Sequence, residues 1–414
     1  MKKKVVSICI VIIIFFQSVT LAVEINKNNE DEESENLDKI IETASVINEN
    51  ELRLNVRNAV VVDRKSNRVI LGKQENKRVA MASTTKIMTA IVTVENANLN
   101  DEVLVSGKAA GIGGSRLELK KGDKISVKDL LYGLMLCSGN DAAIAIAEHV
   151  AGSEKDFVDM MNKKVDTLNL KNTHFVTPHG LDDPDHYTTA YELAKLTNYA
   201  MENEIFSKIV GTINYTVLIN GYPKNIKNTN ELLGRIEGVK GVKTGFTNNA
   251  GRCLVTCTKR GDFEIIVVVL GADTKKIRTE DSIKLIEYTY KMYKLNDISN
   301  IIYEKIEEWK RINLNRIYIE KMSRYSIVEL EIEKVKNSII PLKERDIDNI
   351  SVDVYCTYSF EAPVEKDYIM GNVKVKLENE VLETLKIKFK EKIERKNEKE
   401  YLLNFLLQFN KIFN

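Results

Sequence analysis

Apolar residues recur with two different periods along this chain, and the point where one replaces the other constrains the fold more than any other feature. Between residues 51 and 295, strand-like pairs alternate with helical stretches. Ala59 to Asp63 and Arg68 to Lys73 flank Arg64-Lys65-Ser66-Asn67 as the arms of a hairpin flank its turn. A helix is predicted from about Ser83 to Glu95, and Ser126-Val127-Lys128-Asp129 has the capping-box pattern that opens a second. That helix breaks at Ser138-Gly139-Asn140, and another runs from Asp141 to Val150. Thr189-Ala190-Tyr191-Glu192 opens one more, to about Met201. A strand near Arg252 to Thr258, a turn at Arg260-Gly261-Asp262 and a strand from Phe263 to Leu270 make a second hairpin, and a helix from about Thr279 to Tyr293 follows. Strand pairs mixed with helices imply an α/β (α+β) domain over 51–295. Beyond it, up to about residue 390, period two takes over. Val328, Leu330 and Ile332 alternate with glutamates, and Val352, Val354 and Cys356 with Asp353 and Tyr355. Val373, Val375, Leu377 and then Leu385, Ile387, Phe389 alternate with lysines. This predicts a separate small antiparallel β domain over 298–390.

The 414 residues accommodate two or three domains, and 43% apolar residues suffice for their cores. Sixty-one basic against 60 acidic side chains leave a net charge of +1, no electrostatic reason to bind nucleic acid. Lys2-Lys3-Lys4 precedes an apolar run from Val5 to Phe16, with small residues near Ala22. Residues 1–22 therefore read as a signal peptide, with an uncleaved anchor as the alternative; either places the rest of the chain outside the cytoplasm. Residues 23–50 are acidic and Asn-rich and read as a solvated leader. At the other end, 391–414 comprise a charged segment followed by Leu402, Phe405, Leu406, Phe409 and Phe413 on one helical face. A helix this short cannot cross a bilayer and is expected to lie in its interface. The expected location is the outer face of the cytoplasmic membrane, peripherally attached. Five Cys make no disulfide framework. On one strand Cys253 and Cys257 would lie ~13 Å apart, beyond disulfide reach.

Three short motifs carry chemistry. Ser83-Thr84-Thr85-Lys86 puts a hydroxyl and an amine on one face of a helix start. Serine needs a base, and lysine serves as one only when burial or a neighbouring cation lowers its pKa. Ser138-Gly139-Asn140 places a hydroxyl and an amide on one tight turn. Lys243-Thr244-Gly245 precedes a strand-like run and offers a cation and a hydroxyl suited to a carboxylate, with a glycine that lets a substrate approach the backbone. Each is weak alone. In this order they form the S-x-x-K, S-D-N, K-T-G signature shared by class A β-lactamases and penicillin-binding proteins, with Gly139 in place of the aspartate.

The chain resembles most closely the low-molecular-mass penicillin-binding proteins, serine-type D-alanyl-D-alanine carboxypeptidases, in which S-G-N is common. The resemblance includes Leu136 to Ala143, Asn172-Thr173-His174-Phe175, Pro178-His179-Gly180-Leu181, His186 to Ala190, Gly241 to Thr247 and Ala362-Pro363-Val364. It implies a β-lactamase/penicillin-binding-protein-like catalytic domain followed by the β domain and the C-terminal amphipathic helix. It also implies removal of the terminal D-alanine from peptidoglycan stem pentapeptides and covalent binding of β-lactam antibiotics. By the same resemblance, Ser83 attacks the carbonyl, Lys86 takes its proton, and Ser138 relays a proton to the leaving group. Asn140 holds the acyl side of the substrate, Lys243 polarises Ser138 and depresses Lys86, and Thr244 binds the terminal carboxylate. The backbone N–H groups of Ser83 and Phe246 form the oxyanion hole beside Gly245, and Arg278 supplies a cation near the carboxylate. No cofactor and no metal are expected. His149, His174, His179 and His186 are expected to be structural. The competing enzyme is a class A-like β-lactamase, which needs a deacylating glutamate; Glu192-Leu193-Ala194 matches its motif poorly. The competing non-enzyme is a β-lactam sensor or peptidoglycan-binding protein without turnover.

Overall fold

In the computed structural model the described residues are 37–46 and 52–413, with side chains to 408. The expected signal peptide, residues 1–22, lies outside them, as do the side chains of Phe409 and Phe413. The chain divides into two units, Met1–Lys291 and Met292–Asn414.

The first unit is built on a five-stranded sheet. Its strands are β1 (Asn58–Asp63), β2 (Val69–Lys73), β3 (Val239–Thr247), β4 (Gly251–Arg260) and β5 (Phe263–Ala272), in the order β2-β1-β5-β4-β3. Every pairing is antiparallel, so the domain is the α+β form of the expected class. β1 and β5 are buried almost throughout, as their unbroken apolar runs require. β3 lies at the edge of the sheet and carries the third motif.

Helices α1 (Lys86–Asn96), α2 (Val127–Leu136) and α3 (Asn140–Ala151) have predominantly buried side chains and form the core with further helices at Glu154–Thr167 and Ala190–Met201. Each expected capping box is half formed. Ser126 Oγ accepts the amide of Asp129, and Thr189 Oγ1 that of Glu192. The acids do not complete the boxes. Asp129 accepts from Leu218 N and Tyr215 Oη, while Glu192 accepts from Asn172 N and the hydroxyl of Thr173. Local capping is exchanged for ties to distant chain. α4 (Lys275–Met292) follows β5.

The leader is not wholly solvated. Residues 37–45 form a helix with Ile40 and Ala44 buried, and Asp38 pairs with Arg235 at 2.9 Å. Two apolar residues four apart give even this acidic stretch one face to bury.

The second unit contains a four-stranded antiparallel sheet of β6 (Leu330–Ile332), β7 (Ile350–Cys356), β8 (Ile369–Leu377) and β9 (Glu380–Phe389), in the order β6-β9-β8-β7. Period-two burial on β8 and β9 buries Val373, Val375, Leu385, Ile387 and Phe389. The period-two reading did not include α5 (Ser299–Asn313), whose Ile302 and Ile306 enter the same core. A strand at Lys294–Asp297 pairs with Ile339–Leu342, and so also belongs to this unit. The charged segment before the last helix is pinned at one point, with Ile393 buried and paired to Val364. The last helix, α6, spans Glu398–Phe413.

Candidate active site

The nucleophile candidate sits on a turn, not within a helix. A 3-10 turn over Ala82–Thr85 leads into α1, so Lys86 is the first α-helical residue. Ala82 adopts φ 49°, a left-handed conformation uncommon for a residue with a side chain. The turn is held by its own hydroxyls and by a segment packed against it. Thr84 and Thr85 hydroxyls donate to the carbonyls of Met81 and Ala82 at 2.6 and 2.8 Å. Gly180, at φ +85°, fits against it so tightly that a Cβ there would lie 2.1 Å from the Ala82 carbonyl oxygen. The Pro178-His179-Gly180 segment is thus part of the site's wall.

Lys86 is fully buried. Its Nζ lies 2.9 Å from Ser83 Oγ, 2.7 Å from Asn140 Oδ1 and 2.7 Å from the backbone carbonyl of His179. Burial and then the nearby Lys243 hold its pKa well below the ordinary lysine value. Lys243 is also buried, and burial lowers its pKa to about 8; its Nζ donates to the carbonyl of Thr244 at 3.2 Å.

The second motif turns at Ser138, with φ 62°, and Asn140 starts α3. Asn140 Nδ2 donates to the carbonyl of Gly113, which fixes the amide so that Oδ1 faces Lys86. Asp141 accepts the amides of Leu117 and Leu119 at 2.8 and 3.0 Å. A Cβ on Gly139 would stand 2.8 Å from Asp141 Oδ1 and 3.2 Å from Leu117 N. Here the carboxylate at 141 fills the space that a side chain at 139 would need, which accounts for glycine at the middle of this motif. Among the described residues, Ser138 Oγ makes no hydrogen bond to either lysine.

The third motif closes the site along the sheet edge. A Cβ on Gly245 would lie 3.2 Å from both Ser83 N and Ala82 Cβ, so any side chain there would push β3 or the turn back by a few tenths of an ångström. Thr244 and Thr229 share a hydroxyl hydrogen bond of 2.7 Å. Phe246 is exposed, and the Arg252 guanidinium lies 3.7 Å over its ring. Arg278, expected near a carboxylate, is buried on α4 and ion-paired with Glu231, so it is not a free cation.

Three features here were not read from the sequence: the His179 carbonyl, Asp141 and Glu231. Each acts across 22 to 93 residues of chain or through the backbone, which leaves no local pattern. Two histidines brace the site. His186 Nδ1 accepts the amide of Val176, which leaves Nε2–H to face Thr85 Oγ1 at 2.7 Å. His179 Nδ1 accepts the amide of Leu181. Burial lowers their pKa values to about 4 and about 3, so both rings stay neutral at neutral pH. Among the described residues, no group of three or more His, Cys, Asp or Glu could hold a metal ion. Cys137, Cys253, Cys257 and Cys356 are free thiols.

Comparison with known proteins identifies relatives of this arrangement. The model of peptidase family S11, described as D-alanyl-D-alanine carboxypeptidase, matches residues 45–274. The D-alanyl-D-alanine carboxypeptidase DacF of Bacillus subtilis (strain 168) is 32% identical over 351 residues, covering 83% of this chain and 87% of that protein. The solved DacD carboxypeptidase of Francisella tularensis superposes with a TM-score of 0.68 over 85% of this chain and 96% of its own; at 24% identity it speaks for the fold alone. The Streptomyces K15 DD-transpeptidase superposes with a TM-score of 0.56 at 32% identity, over 58% of this chain and 99% of its own.

Proposed function

This chain belongs to the S11 family of serine peptidases, the D-alanyl-D-alanine carboxypeptidases, and from that premise we propose how its residues divide the reaction. The observation that carries the reading is the environment of Lys86. A neutral amine has two hydrogens and one lone pair. Asn140 Oδ1 and the His179 carbonyl are pure acceptors at 2.7 Å and take the two hydrogens, so the lone pair is left facing Ser83 Oγ at 2.9 Å. Lys86 accepts the Ser83 proton as Ser83 Oγ attacks the carbonyl between the two terminal D-alanines. Ser138 passes a proton to the leaving D-alanine nitrogen, and Thr244 receives the terminal carboxylate. The Ser83 and Phe246 amides stabilise the oxyanion, each such donor contributing about 3–4 kcal/mol in related sites. Lys243 retains its charge and keeps Lys86 neutral. Water then hydrolyses the ester and frees Ser83.

The β-lactamase alternative fares worse. Glu192 directs its carboxylate to Asn172 N and the Thr173 hydroxyl, at 2.6 to 2.9 Å, and is not available to activate water at Ser83. Turnover separates the remaining readings. A synthetic peptide ending in D-Ala-D-Ala is expected to release one D-alanine per chain, detected by mass spectrometry. Acylation by a β-lactam without any peptide turnover would instead indicate a sensor.

We further propose that the mature protein works at the outer face of the cytoplasmic membrane, attached through α6. No helix among the described residues is long and apolar enough to cross a membrane. α6 has 16 residues, about 24 Å of helix. Glu400 ties its first turn to the second unit through Ser323 Oγ and Arg324 N. Beyond that tie Leu402, Phe405, Leu406 and Leu407 are exposed. Four such side chains, at about 1.5–3 kcal/mol each when buried, support reversible interfacial attachment.

A further inference from the structure

The wall behind the third motif holds a carboxylate of its own. Glu231 Oε1 receives Arg278 Nη2 and, at 2.7 Å, the Thr279 hydroxyl. Glu231 is two residues from Thr229, whose hydroxyl bonds Thr244 at 2.7 Å. Arg278 also lies near enough to Lys243 for its charge to act on that amine. Glu231 thus follows closely on the segment that bonds Thr244, and its partner Arg278 acts electrostatically on Lys243 of the same motif. Two cations alone would favour the substrate's terminal carboxylate strongly; with Glu231 present their combined charge falls from two to one. Arg278 is 4% exposed, and its Nη2 is already engaged. A guanidinium that holds one carboxylate cannot clasp a second through the same donors.

The pair is not closed as a purely structural ion pair would be. Arg278 Nε, Glu231 Oε2 and Asn230 Nδ2 are buried without hydrogen-bond partners among the described residues. Buried polar atoms left open cost stability, and native proteins keep few of them. Two of these atoms belong to the ion pair itself, and Asn230 adjoins Glu231 in the chain.

We propose that Glu231 is a specificity-determining positioning residue: it occupies Arg278 and so limits how strongly the site holds a free terminal carboxylate. The proposal rests on the carboxypeptidase reading and concerns the recognition of one substrate group within it. Its consequence is a tempered preference for peptides ending in a free acid over the same peptides ending in an amide. Glu231 works through Arg278 and takes no part in bond making.

The test compares the full chain with Glu231→Gln on two peptides that differ only at the terminus, D-Ala-D-Ala and D-Ala-D-alaninamide. With Arg278 released, the ratio of kcat/KM for acid over amide is expected to rise about tenfold, through KM and not kcat. In Glu231→Gln/Arg278→Gln that gain is expected to vanish. An unchanged or falling ratio in the single variant, or a gain that survives the second substitution, would overturn the proposal. If the buried Arg278 charge prevents the Gln variant from folding, Glu231→Asp shortens the carboxylate by one methylene. It is then expected to raise the ratio in the same direction, and no rise overturns the proposal. Wild-type protein that cleaves neither peptide would refute the carboxypeptidase reading itself; wild-type turnover with an unmoved ratio refutes only the role of Glu231.

Discussion

At the scale of single residues, the site depends on controlling which groups carry protons. The proposed mechanism requires Lys86 as a neutral amine. Lys86→Arg keeps the cation but removes the titratable lone pair, because guanidinium stays protonated. Acylation by benzylpenicillin, followed by stopped-flow, is expected to fall by at least about 10³-fold in that variant while circular dichroism is preserved. In the wild type, acylation is expected to fall as pH drops through the depressed Lys86 value. The buried histidines give an independent pH signature. For His186 and His179 the folded-state values, about 4 and about 3, lie below the ordinary 6.5. The unfolded chain therefore takes up these protons first. The stability they contribute is complete above about pH 6.5 and is lost progressively as pH falls toward 4 for His186 and 3 for His179, at about 1.4 kcal/mol per unit for each ring. NMR titration is expected to find both rings neutral at pH 5.5. A midpoint near 6.5 for either ring would contradict the burial argument.

At the scale of elements, the site is the meeting of one turn, one helix start and one strand edge. Gly180 and Gly245 set the spacing between them. Gly180→Ala would put a Cβ 2.1 Å from the Ala82 carbonyl oxygen and demand φ +85° of an alanine. Urea unfolding is expected to detect a loss of more than about 2 kcal/mol, with slower acylation; an unchanged midpoint would contradict the close fit. These elements were legible in the sequence to different degrees. The two hairpins of the main sheet and the helices after Ser126 and Thr189 follow from period and capping residues. So does the β-rich second unit, because Val373 to Leu377 and Leu385 to Phe389 alternate strictly. The 3-10 turn at Ala82–Thr85 was hidden, since its φ 49° residue is an alanine and a glycine 98 positions away makes room for it. α5 was hidden by the surrounding strand-like patterns. At the site, the three motifs were readable as residue types. Their long-range supports, the His179 carbonyl, Asp141 and Glu231, were not, because a backbone carbonyl has no signature and a lone carboxylate resembles surface charge.

At the scale of the whole molecule, the proposed attachment through α6 predicts that catalysis and membrane binding are separable. No motif residue lies beyond Arg278, and α6 is tied to the second unit through Glu400. A chain ending at Glu400 is expected to keep its acylation rate yet lose flotation with anionic liposomes; equal flotation of the two forms would refute the attachment. The central claim for the molecule is a covalent one: Ser83 is the atom source of the acyl-enzyme. It is tested most directly by peptide mass mapping of the full chain after brief exposure to benzylpenicillin. The account predicts one added antibiotic of full mass, on the peptide containing Ser83, and none in Ser83→Ala. A label on any other peptide, or one that persists in Ser83→Ala, would contradict it.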